Sequence, residues 1–335
     1  MARQGELNDR GGREARRCED GSPWAVVLAG GEGVRLRPLV RRVCGDERPK
    51  QFVPLLGPRT LLRQTLDRIG LAIPPERTVV VGLESHGRYL AREWAERSAP
   101  HLLKQPTDRG TAAAILFAAQ WIEARDPCAT VVFCPSDHFI PEEVEFMGRV
   151  AEVARFVERQ PEWMVLLGAE ATEAETEYGW IEPGGSVGTA GDGPVYRIRR
   201  FQEKPSNEVA ERLFTKGCLW NTFVFVARAS EVLAAGRECV PSMADRLARL
   251  SSFWCTEHER WAISQAYALA PASTFPRAIL EACSQPLAVV KMPGLTWCDL
   301  GSPGRVLKTM AGCGIAVPWH AAAIAWARGG ARHGA

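Results

Sequence analysis

Residues 24–38 read WAVVLAGGEGVRLRP, and the fold is decided there. Val26, Val27 and Leu28 form a short apolar run suited to a buried strand. It stops at Gly30 and Gly31, with Gly33 and Arg35 just behind. Glycines let an anion approach the chain closely, and the N–H groups of such a loop can wrap a phosphate. Arg35 adds a planar fork of donors. Taken alone, the stretch also reads as an ordinary strand and turn with an exposed arginine.

Working outward, the chain alternates strands and helices. Leu61, Leu62, Thr65, Leu66 and Ile69 have helical spacing, ended by Gly70. Residues 78–81 read as a strand and 86–97 as a helix. Residues 105–114 read as a polar loop entering an apolar helix. Thr111 is its expected N-cap, and Arg109 and Gly110 stand where an anion would be favoured. A third strand over 130–134 delivers Asp137 and His138. A helix over 142–159 and a strand over 164–168 follow. This alternation predicts an α/β fold with a mostly parallel central sheet and helices on both faces. Ligands of such sheets bind beyond the carboxyl ends of the strands, where the glycine loop and Asp137 belong. From residue 179 the pattern changes to extended pieces broken by Gly and Pro, read as antiparallel strands. Strands follow over 219–227 and 287–292, with helices filling much of 228–283. The halves are expected to share one compact domain.

Bulk properties narrow the class. Apolar content of 46% and charged content of 24% are those of a soluble globular chain. A net charge of +2 over 335 residues gives no polyanion signal, so no nucleic acid partner is expected. Ten cysteines include no CxxC pair, which points to reduced thiols and a cytoplasmic protein without zinc. Residues 1–23 are polar and are expected to form a disordered N-terminal extension without a secretory signal. The longest uncharged stretch, 309–327, contains Pro318 and His320, so no membrane span is expected.

Asp137 and Asp299 are candidate ligands for a hard cation, and each alone also suits a turn or an N-cap. His138 invites a general-base reading, but a structural, hydrogen-bonding role is preferred. Glu203-Lys204-Pro205 alone is a common surface pair.

Seven blocks, in order, resemble the sugar-1-phosphate nucleotidyltransferases, most closely the mannose-1-phosphate guanylyltransferase branch. They are LAGGEGVRLRPL (28–39), RPKQF (48–52), PSDHFI (135–140), EYGWI (177–181), FQEKP (201–205), LWN (219–221) and WCDLGS (297–302). The resemblance implies a Rossmann-like, glycosyltransferase-A-type nucleotidyltransferase fold over 24–302. It implies transfer of a nucleotidyl group from an NTP to a sugar 1-phosphate, releasing pyrophosphate. GTP and mannose 1-phosphate are the favoured pair, giving GDP-mannose. It further implies that the backbone of Leu28, Ala29, Gly30 and Gly31 holds base and ribose, with Arg109, Gly110 and Thr111 near the base. Gly33 and Arg35 would cradle the triphosphate, and Lys50 would neutralise the α-phosphate region. Asp137 and Asp299 would bind Mg²⁺. Glu203 and Lys204 would meet the sugar and its phosphate, and Gly179 and Asn221 would line the sugar pocket. A homodimer is allowed for.

Departures leave base and sugar open. The family's Arg-Asn-Thr is here Arg109-Gly110-Thr111, and Phe223 brings bulk after Asn221-Thr222. Residues 303–335 lack a hexapeptide pattern, so a helical segment is expected rather than a left-handed β-helix, and no second catalytic domain. The alternatives are another sugar or cyclitol 1-phosphate with GTP, ATP or UTP, and a nucleotide-sugar-binding protein without turnover. A glycosyltransferase is disfavoured because no Asp-x-Asp motif follows a strand.

Overall fold

The computed structural model describes residues 22–94, 100–317 and 319. The expected N-terminal extension therefore lies outside the described residues up to position 21, as does most of the tail beyond 317. Nine strands form one sheet: β1 (Trp24–Ala29), β2 (Thr78–Leu83), β3 (His101–Gln105), β4 (Thr130–Pro135), β5 (Met164–Glu170), β6 (Gly179–Ala190), β7 (Gly193–Glu203), β8 (Leu219–Arg228) and β9 (Leu287–Lys291). The helices are α1 (Arg37–Cys44), α2 (Leu61–Ile69), α3 (Gly87–Glu93), α4 (Gly110–Glu123), α5 (Glu143–Arg159), α6 (Asn207–Thr215), α7 (Ala229–Cys239), α8 (Pro241–Ala248), α9 (Glu259–Ala268) and α10 (Pro303–Gly312).

The strand order is β3-β2-β1-β4-β8-β5-β9-β7-β6. The pairs β1–β2, β2–β3, β1–β4 and β5–β9 are parallel. The pairs β4–β8, β5–β8, β6–β7, β6–β8 and β7–β9 are antiparallel. The expectation of a mostly parallel sheet is therefore corrected: antiparallel pairings are the majority. The physical reason is β8, which inserts backwards between β4 and β5, and the β6–β7 hairpin at the far edge. A parallel neighbour needs a crossover, whereas a hairpin needs two residues, here Gly191 and Asp192. Strand β3 is not signalled by the sequence. It is an edge strand in which only Leu102 and Leu103 are apolar and His101 and Lys104 are exposed, so it carries no long apolar run.

Alternation along β1 splits its side chains between two cores. Trp24 and Val26 pack with α4 and α7, while Ala25, Val27 and Ala29 pack with α2 and α5. A third apolar cluster joins Leu36, Leu39 and Val40 to Phe139, Leu300, Val306 and Met310. It ties the segment after β1 to α10, directly behind the ends of β1 and β4. Among the described residues no helix is long and apolar enough to cross a membrane.

Candidate active site

Strands β1 and β4 are parallel neighbours, with Leu28 opposite Pro135. Their carboxyl ends therefore release the glycine loop and Asp137 side by side, and the Ser136 N–H donates to the Leu28 carbonyl (3.1 Å). The Gln51 amide donates to the carbonyls of Ala29 (2.8 Å) and Gly31 (3.0 Å), bracing the loop from beneath. Gln51 is buried, and sequence reasoning passed over it although it stands inside a quoted block. Gly33 has φ +60°, and a Cβ there would lie 2.9 Å from the Lys50 N and Cβ. Only glycine allows this contact between the loop and Lys50.

Lys50 is the hub. Its Nζ meets the Asp137 carboxylate at 2.9 Å and donates to the main-chain carbonyl of Asp299. Asp137 and Asp299, far apart in sequence, are joined by an antiparallel bridge. The Phe139 N–H donates to the Cys298 carbonyl (2.9 Å), and the Cys298 N–H returns the bond to Phe139 (3.1 Å). Behind that bridge the buried Arg68 guanidinium donates to the carbonyls of Ile140 (3.1 Å) and His138 (3.3 Å). The Asp299 carboxylate accepts from the Tyr178 hydroxyl, the Gly301 N–H and Arg305. Burial opposes its ionisation, but the surrounding basic groups and the Gly301 N–H hold its pKa below the ordinary carboxylate value. Ser302, not Asp299, caps α10, accepting from the Arg305 N–H. Burial pushes the His138 imidazole down to about 4, and its Nδ1 accepts from Trp297 Nε1 at 3.2 Å. A neutral ring used as an acceptor is a structural histidine.

Asp137 and Asp299 flank the Phe139–Cys298 bridge, and their carboxylate oxygens are donors of the hard kind that Mg²⁺ takes, although Asp299 here accepts from Tyr178, Gly301 and Arg305. No group of three or more His, Cys, Asp or Glu side chains suited to a metal occurs among the described residues.

A second cluster gathers the residues assigned to the sugar. A Cβ on Gly179 would lie 2.6 Å from Glu203 Oε2 and 3.2 Å from Asn221 Cβ, so the three are in contact. Burial raises the Glu203 pKa, Lys204 opposes the rise, and Glu281 adds to it. Glu281, which sequence reasoning did not select, also accepts from the Glu203 N–H (2.6 Å). Lys204 is exposed, and its N–H donates to the Tyr178 carbonyl (3.1 Å). Tyr178 thus joins the clusters, through its hydroxyl to Asp299 and its carbonyl to Lys204. Among the described residues, the non-glycine positions with positive φ are Lys204 (48°), Phe223 (60°), Leu300 (49°) and Cys255 (62°). The first three lie at these two clusters, as strain concentrates at functional sites.

Arg35 is placed otherwise. It is exposed and pairs with Glu177 at 2.6 Å. Arg109, Gly110 and Thr111 turn toward the segment after α9. Arg109 donates to the carbonyls of Tyr267 (3.0 Å) and Ala268 (3.1 Å), closing the end of α9. Thr111 is inside α4 and accepts from the Phe275 N–H (2.9 Å), so it is not the N-cap. The Ala112 N–H at the start of α4 is taken by the Ser273 carbonyl (3.1 Å). Gln105 faces the glycine loop instead: its Nε2 would lie 3.0 Å from a Cβ on Gly30. Surface concavities of about 440 Å³ beside α2 and about 730 Å³ between β3 and α9 contain none of these residues.

Comparison with known proteins shows the family to which this fold belongs. The family model described as nucleotidyl transferase matches residues 24–312, and the chain belongs to that family. It is 31% identical over 291 residues to the xanthan biosynthesis protein XanB of Xanthomonas campestris, covering 84% of this chain and 58% of that protein. It is 32% identical over 215 residues to the mannose-1-phosphate guanylyltransferase RfbM of Salmonella typhimurium, covering 62% of this chain and 42% of that protein. The chain spans about half the length of these curated relatives. A crystal structure from Thermus thermophilus, described as a mannose-1-phosphate geranyltransferase, superposes with a TM-score of 0.71 at 31% identity. That match covers 84% of this chain and 76% of that one.

Proposed function

We propose that the chain transfers a nucleotidyl group from an NTP, with GTP favoured, to a sugar 1-phosphate, with mannose 1-phosphate favoured. A phosphate oxygen of the sugar attacks the α-phosphorus, the bond to the β-phosphate bridging oxygen breaks, and pyrophosphate leaves. The observation that carries the reading is Lys50, buried against Gly33 and held between Asp137 and Asp299.

The attacking phosphate is already an anion, so no general base is required. The chemical problem is repulsion between two anions, and fixed cations offset it. Lys50 would place positive charge at the α-phosphate, with Arg35 on the triphosphate beside it. Lys204, at the end of β7, would hold the acceptor phosphate. Glu203 and Asn221 would accept from and donate to sugar hydroxyls around Gly179. Asp137 and Asp299 would hold Mg²⁺, which when bound supplies further charge neutralisation on the phosphates.

Pyrophosphate release, measured across a matrix of NTPs and sugar 1-phosphates with Mg²⁺, tests the reading. Release with GTP and mannose 1-phosphate is expected. Release with another pair only would move the base or the sugar. Nucleotide-sugar binding without release from any pair would overturn the enzymatic reading.

A further inference from the structure

The carboxylate of Asp299 already holds three donor groups. Its Oδ1 accepts from the Tyr178 hydroxyl (2.9 Å), the Gly301 N–H (2.9 Å) and Arg305 Nη1 (3.1 Å). Its Oδ2 accepts from the same Nη1 (3.1 Å). Oδ1 is crowded by three donors and Arg305 Nη1 spans both oxygens, so a divalent cation would compete with Arg305 for this carboxylate. Asp137 differs, since among the described residues its ion pair is with Lys50 alone.

The donor that can leave is Arg305. Tyr178 is held in an aromatic cluster with Trp220 and Trp297, and Gly301 is main chain two residues away. Arg305 instead divides its guanidinium. Nη1 serves Asp299, while Nη2 lies 2.6 Å from Glu175 Oε2, and the plane sits 4.4 Å over the Tyr178 ring. The root of the side chain is fixed, because Val306 and Met310 of the same helix are 0% exposed. A guanidinium that swung off Asp299 would therefore keep an anionic partner, and no buried charge would be stranded.

We infer that Arg305 is a positioning residue that acts as the resident counter-ion of Asp299. It fills and orients that carboxylate when no divalent cation is bound, and it shifts onto Glu175 when a cation takes its place. The inference rests on the assignment of Asp137 and Asp299 to the cation. The affinity for the cation is then set by competition with Arg305, and Glu175 sets how readily Arg305 yields.

The test is Mn²⁺ binding to the full chain without nucleotide or sugar phosphate, read from the electron paramagnetic resonance of free Mn²⁺. Arg305→Gln is expected to bind Mn²⁺ about tenfold more tightly, because a charged competitor is gone. Glu175→Gln is expected to bind it more weakly, by roughly threefold or more, because Arg305 loses its alternative partner. A purely structural role would weaken both variants. A general field effect would also appear at the neighbouring exposed pair, Lys308 with Glu173, so Lys308→Gln must leave the affinity unchanged. Equal or weaker binding by Arg305→Gln, or tightening by Lys308→Gln to the same extent, overturns the inference. If Arg305→Gln does not fold, Arg305→Met, which keeps an unbranched side chain over the Tyr178 ring without the charge, decides by the same sign: tighter Mn²⁺ binding supports the inference and equal or weaker binding overturns it. Asp137→Asn and Asp299→Asn check the underlying assignment separately. If neither reduces Mn²⁺ binding, the cation site is elsewhere, whatever Arg305 does.

Discussion

Strands β1 to β4 and strands β6 to β8 position functional groups by different means. The first set runs parallel, and its loops emerge together at one edge. Gly33, Lys50 and Asp137 meet there with relaxed backbone at every residue except the glycine. The second set runs back and forth, so its chain ends point both ways. It carries two non-glycine residues in the left-handed region, Lys204 just after β7 and Phe223 within β8. The pairing of β5 with β8 also shifts register between Leu166 and Gly168, close to Asn221. Parallel topology delivers a ligand edge without strain. The antiparallel half carries strain of about 1–3 kcal/mol at each such residue.

Four substitutions probe that contrast. The largest effect is expected at the relaxed edge. Asp137→Asn should lower kcat by roughly 10²–10³-fold at saturating Mg²⁺, because the carboxylate proposed to hold Mg²⁺ and to orient Lys50 loses its charge. Its circular dichroism spectrum should match the wild type, and near-normal kcat would remove Asp137 from the machinery. On the strained side, Lys204→Ala should cut kcat/KM for the sugar phosphate by about 10–100-fold, the worth of a charge-assisted bond. Steady-state kinetics with both substrates decide this, since a defect confined to the NTP would contradict the assignment.

Strain itself is measured by stability. Lys204→Gly should be more stable than Lys204→Ala by about 1 kcal/mol, because glycine adopts φ 48° without a Cβ clash. Urea unfolding of the two variants would read the difference, and equal midpoints would mean the residue is unstrained. The smallest effect concerns the exposed pair of Arg35 and Glu177. Glu177→Gln frees Arg35 and should tighten NTP binding by about fivefold at most, the ceiling for a solvent-screened ion pair. Isothermal titration with a non-hydrolysable NTP checks it. Looser binding would mean that Glu177 orients Arg35 rather than competing for it.

Much of the relaxed edge was legible in the amino-acid order. Val26 to Leu28, the glycines and the strand before Asp137 are local signals, and each needs only its neighbours to be read. The grouping of Gly179, Glu203 and Asn221 was reached by resemblance alone, since they lie on three strands that no local rule brings together. The Arg109–Thr111 segment illustrates the limit. A basic residue before a helix suggests an anion, yet the Ser273 carbonyl and the end of α9 are what it meets.

Local residue order is enough to say which strands are buried, where the glycine loop lies and which side chains carry charge. Those properties follow from short-range periodicity and from glycine and proline at fixed offsets. It took the folded chain to establish that β8 runs backwards, that Phe139 pairs with Cys298, and that Arg305 fills the carboxylate of Asp299. Each of these joins residues separated by long loops, or by a helical turn whose direction depends on what α10 packs against. Pairing and ion contacts of that kind are chosen by global burial, since Val306 and Met310 enter the apolar cluster behind the site and bring Arg305 with them.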